Sequence, residues 1–338
     1  MSFHDRFDDL KLLKPVIFTG KEVLLLDQTK LPETEKYLKL KNCGEVAKAI
    51  KTMKVRGGGA IMLAAVYGLA LSAINSRGNL KILKKDAEIL KNTRPTAAAL
   101  FQAIDFILRI AEKSSNVAED VQQAANWLFK KTVEMEIKVG ENGSKLFEDG
   151  DTVLTHCNAG ALAAAGYGGV TLSVFRKCRE KGKKIKVFVT ETRPYLQGAR
   201  LTLWELKKFG FDAVLITDNA VGYCMQKGMI DKVLVGADRI AVNGDVANKV
   251  GTYLIALAAK KHKIPFYVSG TIDPKIKTGD EIKIEIRSPE EVLIFNGKRI
   301  APKNIEVFYP AFDITPHQYV TAIITKDGVF KPPYNFGG

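Results

Sequence analysis

Val153-Leu154-Thr155 is a short β-favouring run that leads straight into His156-Cys157-Asn158-Ala159-Gly160 and then a stretch rich in Ala and Gly. The pattern reads as a strand, a sharp turn and a helix start, with a thiol at the junction. The positive end of a helix dipole favours a thiolate, so Cys157 placed there would be usable as a base or nucleophile near neutral pH. A small cysteine packed under a sheet is the alternative reading. The Ala/Gly run itself implies a tightly packed helix or a close backbone approach to a ligand.

Other stretches carry groups suited to anions. Arg56-Gly57-Gly58-Gly59 precedes an apolar helical pattern from Ala60, and backbone N–H groups at that helix start would cradle a phosphate or carboxylate. Arg94 stands just before Pro95, which suits the first turn of a helix expected over 96–113. A cation at a helix N-terminus is unfavourable unless an anion is shared, although a solvent-facing Arg costs little. Further along, Glu191-Thr192-Arg193-Pro194, Thr217-Asp218-Asn219 and Gly236-Ala237-Asp238-Arg239 each follow an apolar run. Gln197 lies just before an expected helix, and Asn248-Lys249 at the start of another.

Several classes of site lack their signatures. None of His4, His156, His262 and His317 has a His, Cys or carboxylate neighbour at ligand spacing, and Cys43, Cys157, Cys178 and Cys224 form no CxxC pair. There is no GxxxxGK[ST] and no GxGxxG after a strand, which argues against a nucleotide cofactor. The chemistry that remains is acid–base catalysis on a phosphorylated small molecule, without metal or cofactor.

These residues need elements to position them. Val16 to Asp27 reads as a hairpin around Gly20-Lys21, followed by helices from Cys43 to Met53, 60–74, 80–91, 96–113 and 117–139. After Gly140-Glu141-Asn142-Gly143 and Glu148-Asp149-Gly150 the texture changes, and the division falls between 148 and 149. Beyond it, short β-branched runs at 153–155, 185–190, 213–217, 232–235 and 265–268 alternate with helices at 201–209, 220–226 and 252–261. Such alternation predicts a mostly parallel sheet covered on both faces. The fold class is α/β: a small mainly helical domain with a short hairpin over 1–148, then the sheet domain over 149–338. Ligands bind beyond the carboxyl ends of parallel strands, which gathers Cys157, Glu191, Asp218 and Asp238 at one rim.

Composition sets the frame. With 338 residues, 46% hydrophobic and 26% charged, the chain is an ordinary globular sequence with two domains as the prior expectation. The apolar segment 57–75 is expected as a buried core helix, not a membrane span. Free cysteines, and a polar start without a signal peptide, point to the cytoplasm. The net charge of +14 comes from dispersed lysines without interleaved aromatics or a nucleic-acid-binding motif. No nucleic-acid partner is expected, and the positive field would suit a phosphorylated substrate.

Seven stretches in order carry a closer likeness: 26–32 (LDQTKLP), 94–97 (RPTA), 155–162 (THCNAGAL), 191–200 (ETRPYLQGAR), 236–240 (GADRI), 243–249 (NGDVANK) and 310–316 (PAFDITP). They resemble the methylthioribose-1-phosphate isomerase family, initiation-factor-2B-like aldose-phosphate isomerases of methionine salvage. The resemblance runs from about Leu24 to Phe330. It implies a Rossmann-like second domain and a cytoplasmic homodimer acting on a sugar phosphate without metal or cofactor. It also implies Cys157 and Asp238 as the catalytic pair, with Arg56, Gly57, Gly58, Arg94, Gln197, Asn248 and Lys249 holding the substrate. Isomerases of 5-deoxyribose 1-phosphate and ribose 1,5-bisphosphate share the fold, as do regulatory subunits of a translation-initiation exchange factor. One departure is local: the family usually has Arg-Gly-Ala-Pro-Ala-Ile-Gly where this chain has Arg56-Gly57-Gly58-Gly59-Ala60-Ile61-Met62.

Overall fold

The computed structural model describes Phe7, residues 9–94, 98–334 and Phe336. These residues form two compact units, Met1–Ile137 with Ala159–Ser173, and Lys138–Asn158 with Val174–Gly338.

The first unit opens with β1 (Val16–Phe18), β2 (Val23–Leu26) and β3 (Tyr37–Leu40), an antiparallel sheet in which Val16 pairs with Leu25 and Leu26 with Tyr37. The hairpin was legible from the sequence; the third strand, with only Leu40 buried, was not. Helices α1 (Cys43–Lys51), α2 (Gly58–Asn75), α3 (Leu80–Lys91), α4 (Ala98–Lys113) and α5 (Val117–Gly143) follow. Asn42 caps α1 by accepting the Glu45 N–H, while the Glu45 carboxylate accepts the Lys41 N–H, a reciprocal arrangement that fixes the helix start. α2 is long and apolar enough to cross a membrane, yet 72% of it is buried inside the protein. It is apolar all round because α1, α3 and α4 pack on it, and Tyr67 stacks on Phe18 at 5.0 Å. Pro95 and its expected place in the first turn of the fourth helix lie outside the described residues.

Residues 159–173 group with this unit, which a division at 148/149 does not anticipate. The cause is a buried carboxylate: Glu136 accepts the N–H groups of Ala165 (2.6 Å), Gly168 (2.9 Å) and Gly169 (2.9 Å). Gln28 adds a bond to the Leu162 carbonyl, and the Leu13 N–H one to Gly166. The segment is mostly Ala and Gly, so apart from buried side chains such as Leu162 and Tyr167 it is its backbone that the unit holds.

The second unit is built on β4 (Thr152–Thr155), β5 (Lys186–Thr190), β6 (Asp212–Ile216), β7 (Lys232–Gly236), β10 (Phe266–Ser269), β14 (Ala322–Thr325) and β15 (Gly328–Phe330). Their spatial order is β15-β14-β10-β7-β4-β5-β6, parallel throughout except for β15 at the edge. Helices α6 (Leu172–Glu180), α7 (Leu203–Lys208), α8 (Val221–Gln226) and α9 (Thr252–Lys261) alternate with the strands. Val, Ile, Leu and Phe fill the strands because both faces are covered; β7, β10 and β14 are buried almost throughout. From β4 the chain runs outward through β5 and β6, then returns to lay β7 on the other side of β4. This reversal creates the crevice where such sheets bind ligands. A second, antiparallel sheet joins β8 (Arg239–Ile240), β9 (Val246–Lys249) and β13 (Phe312–Thr315). The short helix α10 (Glu290–Leu293) and the hairpin β11 (Ile294–Phe295) and β12 (Lys298–Arg299) complete the unit.

Candidate active site

Cys157 follows β4 and Asp238 follows β7, the two neighbouring strands at the reversal point. No helix begins at Cys157, which corrects the sequence reading. The chain makes only a 3₁₀ turn at Ala161–Ala163, and α6 starts at Leu172, because the Ala/Gly stretch gives its N–H groups to Glu136 instead of to a helical ladder. The dipole argument for Cys157 therefore falls away. What the structure provides instead is direct contact with neighbouring side chains.

Cys157 is 7% exposed and holds a left-handed φ of 65°, a conformation that strains a residue with a side chain and recurs at functional sites. Its N–H donates to Thr192 Oγ1 at 3.0 Å, and its carbonyl accepts the Thr202 hydroxyl at 2.7 Å. The buried Gln197 amide donates Nε2 to Cys157 Sγ at 3.3 Å. Gln197 Oε1 has no partner among the described residues, although the side chain is only 2% exposed. A buried amide oxygen without a partner beside a thiol is an acceptor for a ligand hydroxyl. The other three cysteines are also buried; burial pushes Cys43 and Cys224 up, and Cys178 to about 11, as expected of structural thiols.

Gln197 reaches the sulfur because of the element that follows it. Gly198–Thr202 forms a π turn running into α7, so the helix expected over 201–209 starts with a wider coil. Gly198 is pressed against the Thr190 carbonyl, where a Cβ would overlap. Behind it, Asn158 donates to Thr202 Oγ1 at 3.1 Å and to the fully buried Glu205 at 2.6 Å. The loop before Gln197 is fixed by Asp218, whose carboxylate accepts the N–H groups of Thr192 and Arg193, each at 2.7 Å.

Asp238 is set by β8 and β9: its N–H donates to Ala247, and the pairing of Arg239 with Ala247 places it alongside Asn248. Asn248 and Lys249 end β9 and do not start a helix, because α9 begins only at Thr252 after the left-handed Gly251. On the opposite edge of β9, Asp313 pairs with Asn248, so two carboxylate-bearing positions flank that residue. Asp313 accepts the N–H groups of Gly251 (2.7 Å) and Tyr253 (3.2 Å) at the start of α9. Burial pushes its carboxyl up to about 6, against the pull of those N–H groups and Lys249. The Lys249 ammonium lies 4.4 Å from the centre of the Phe312 ring.

The remaining expected residues belong to the first unit. Gly57, with φ 85°, is the N-cap of α2, which starts at Gly58 without a side-chain cap. A Cβ at Gly57 would overlap Ala163, while one at Gly58 would meet nothing within 4 Å, so the alanine common in the family at that position fits here. Arg56 and Arg94 are half-buried, and Arg94 contacts the Met53 sulfur. Among the described residues no group of three or more His, Cys, Asp or Glu side chains could hold a metal ion.

Residues 54–332 match the model of the initiation factor 2 subunit family. The methylthioribose-1-phosphate isomerase of Thermotoga neapolitana is 50% identical over 329 residues, covering 95% of this chain and 96% of that protein. The chain belongs to the methylthioribose-1-phosphate isomerase family. Among solved structures, 5-methylthioribose 1-phosphate isomerase from Pyrococcus horikoshii OT3 superposes with a TM-score of 0.92 at 43% identity, over 99% of this chain and 97% of that one. The translation initiation factor eIF-2B, subunit delta, from A. fulgidus gives 0.88 at 45% identity, over 95% and 97%. Within this isomerase family, the resemblance read from seven short stretches extends over 95% of the chain.

Proposed function

We propose that this chain converts 5-methylthio-α-D-ribose 1-phosphate to 5-methylthio-D-ribulose 1-phosphate, an aldose–ketose isomerisation in methionine salvage. The observation that carries the reading is that a thiol and a carboxylate follow β4 and β7, the two neighbouring strands at the reversal of the parallel sheet. The names of the relatives supply the sugar.

A phosphate on O1 locks the sugar as a ring, so the ring must be opened before hydrogen moves from C2 to C1. Asp238 acts as the general acid at the ring oxygen, a role that requires its carboxyl to carry a proton. Cys157, with Gln197 on its sulfur, handles the hydrogen at C2. On the family resemblance, Arg56, Gly57, Gly58, Arg94 and Lys249 are each proposed as a phosphate contact, and Gln197 and Asn248 as contacts to the sugar hydroxyls. Positive charge and uncapped N–H groups are what a phosphate dianion recognises. Proton movements within the sugar suffice for this chemistry, so no metal or cofactor is invoked. The same reading makes the protein a cytoplasmic homodimer with neither nucleic acid nor membrane as a partner.

The test is a comparison of kcat/KM for 5-methylthioribose 1-phosphate, 5-deoxyribose 1-phosphate and ribose 1,5-bisphosphate in the presence of chelator. The highest value is expected for the methylthio sugar. Turnover of the bisphosphate alone overturns the substrate assignment, and turnover of none returns the chain to a binding role.

A further inference from the structure

One imidazole is tied both to Cys157 and to the turn after Lys249. His156 is 3% exposed, with Nδ1 2.6 Å from the Thr190 hydroxyl and Nε2 3.0 Å from the Val250 carbonyl. A carbonyl oxygen only accepts, so Nε2 carries the proton and Nδ1 accepts from Thr190. Burial holds the ring below its ordinary value, against the opposing pull of Asp218, which keeps it neutral. The Thr190 hydroxyl oxygen, at 3.2 Å, and the Thr190 carbonyl, at 3.3 Å, are both acceptors within reach of the proton on Thr192 Oγ1. That oxygen in turn accepts the Cys157 N–H. On the far side, Val250 lies between Lys249 and Gly251, and the Gly251 N–H is held by Asp313. Hydrogen-bond direction is thereby fixed from the Val250 carbonyl through the ring to the Thr190 hydroxyl, and Thr192 Oγ1 links that hydroxyl to the Cys157 backbone.

We propose that His156 is a positioning residue: its neutral ring sets the strained Cys157 turn and the Asn248-Lys249 turn in register with each other and moves no proton itself. The proposal rests on reading Cys157 as the group that acts at C2 and Asn248 and Lys249 as substrate contacts. Its two arms can be cut separately. In His156→Gln the amide nitrogen replaces Nε2 and still donates to Val250, but Thr190 loses its acceptor. In His156→Asn the shorter amide offers an oxygen to Thr190 and does not reach Val250.

His156→Gln is expected to lower kcat by about tenfold to a hundredfold, with KM within about threefold, because small displacements of a reacting group cost rate and not ground-state binding. His156→Asn is expected to raise KM by about tenfold or more with kcat nearly kept. Thr190→Val should repeat the Gln pattern while Thr190→Ser restores wild-type kcat, which decides the matter if the His156 variants do not fold. A second readout is the rate at which iodoacetamide alkylates Cys157, followed by the mass of its peptide: it should change in His156→Gln and not in His156→Asn. Parallel losses in kcat and KM in both variants, or an alkylation rate unchanged in both, overturn the proposal. Failure of the functional reading is distinct, since wild-type protein would then leave the sugar phosphate unchanged while the alkylation pair still reports on the positioning.

Discussion

Cys157 owes its chemistry to contacts that are distant in sequence. Its residue type and its place after a strand were legible; its left-handed backbone, the Gln197 donor and the Thr192 and Thr202 supports were not, because they come from a loop 35 to 45 residues away. His156 was set aside as a non-ligand, and nothing local to the sequence shows that its two nitrogens reach Thr190 and Val250. If Cys157 and Asp238 act on the reacting atoms, Cys157→Ala and Asp238→Asn should each lower kcat by roughly a hundredfold or more with KM little changed, since acid–base help is commonly worth about 10²–10⁴. If Lys249 holds the phosphate, Lys249→Ala should instead raise KM, because such a contact is made in ground state and transition state alike. Steady-state kinetics of the three variants check both expectations. Near-wild-type kcat in Cys157→Ala would make the thiol a structural one, like Cys43 and Cys178.

At the scale of elements, strong periodicity and caps made the sequence most readable. α3 and α9 fall at 80–91 and 252–261 as expected, and the five expected parallel strands lie within two residues of their observed bounds. What escaped was decided by single buried side chains. The Ala/Gly stretch 159–173 looked helical because nothing nearby discloses that Glu136 collects its N–H groups. Glu136→Ala leaves the buried N–H groups of Ala165, Gly168 and Gly169, among others, without their acceptor, so it should destabilise the protein by on the order of 3 kcal/mol or more, with Glu136→Gln costing less. Urea unfolding measures the difference. Asp313 supplies a pH test. Its folded-state value of about 6 exceeds the unfolded value of 3.8, so the folded state binds more protons between those values and its contribution to stability is lost as pH rises from about 4 to about 6. The melting temperature of wild type relative to Asp313→Asn should therefore fall across that interval and level off above it; a difference that is flat or rises with pH contradicts the assignment.

For the molecule as a whole, the topology of the sheet decides where a ligand can bind. A parallel sheet whose order reverses beside β4 has its ligand crevice there whatever its chemistry, and Cys157 and Asp238, which follow the two strands at that crevice, are the residues proposed to act on a small polar molecule. The net charge of +14 gives that molecule a reason to be a phosphate. The sugar came from likeness to named relatives, because no rule of packing or charge specifies a methylthio group at C5. The most direct measurement is a proton NMR time course of 5-methylthioribose 1-phosphate with catalytic amounts of the protein and chelator. The account predicts that the anomeric H1 signal disappears as a C1 methylene of a ketose 1-phosphate grows in, with no inorganic phosphate released. An anomeric signal that persists through prolonged incubation with folded wild-type protein would contradict it.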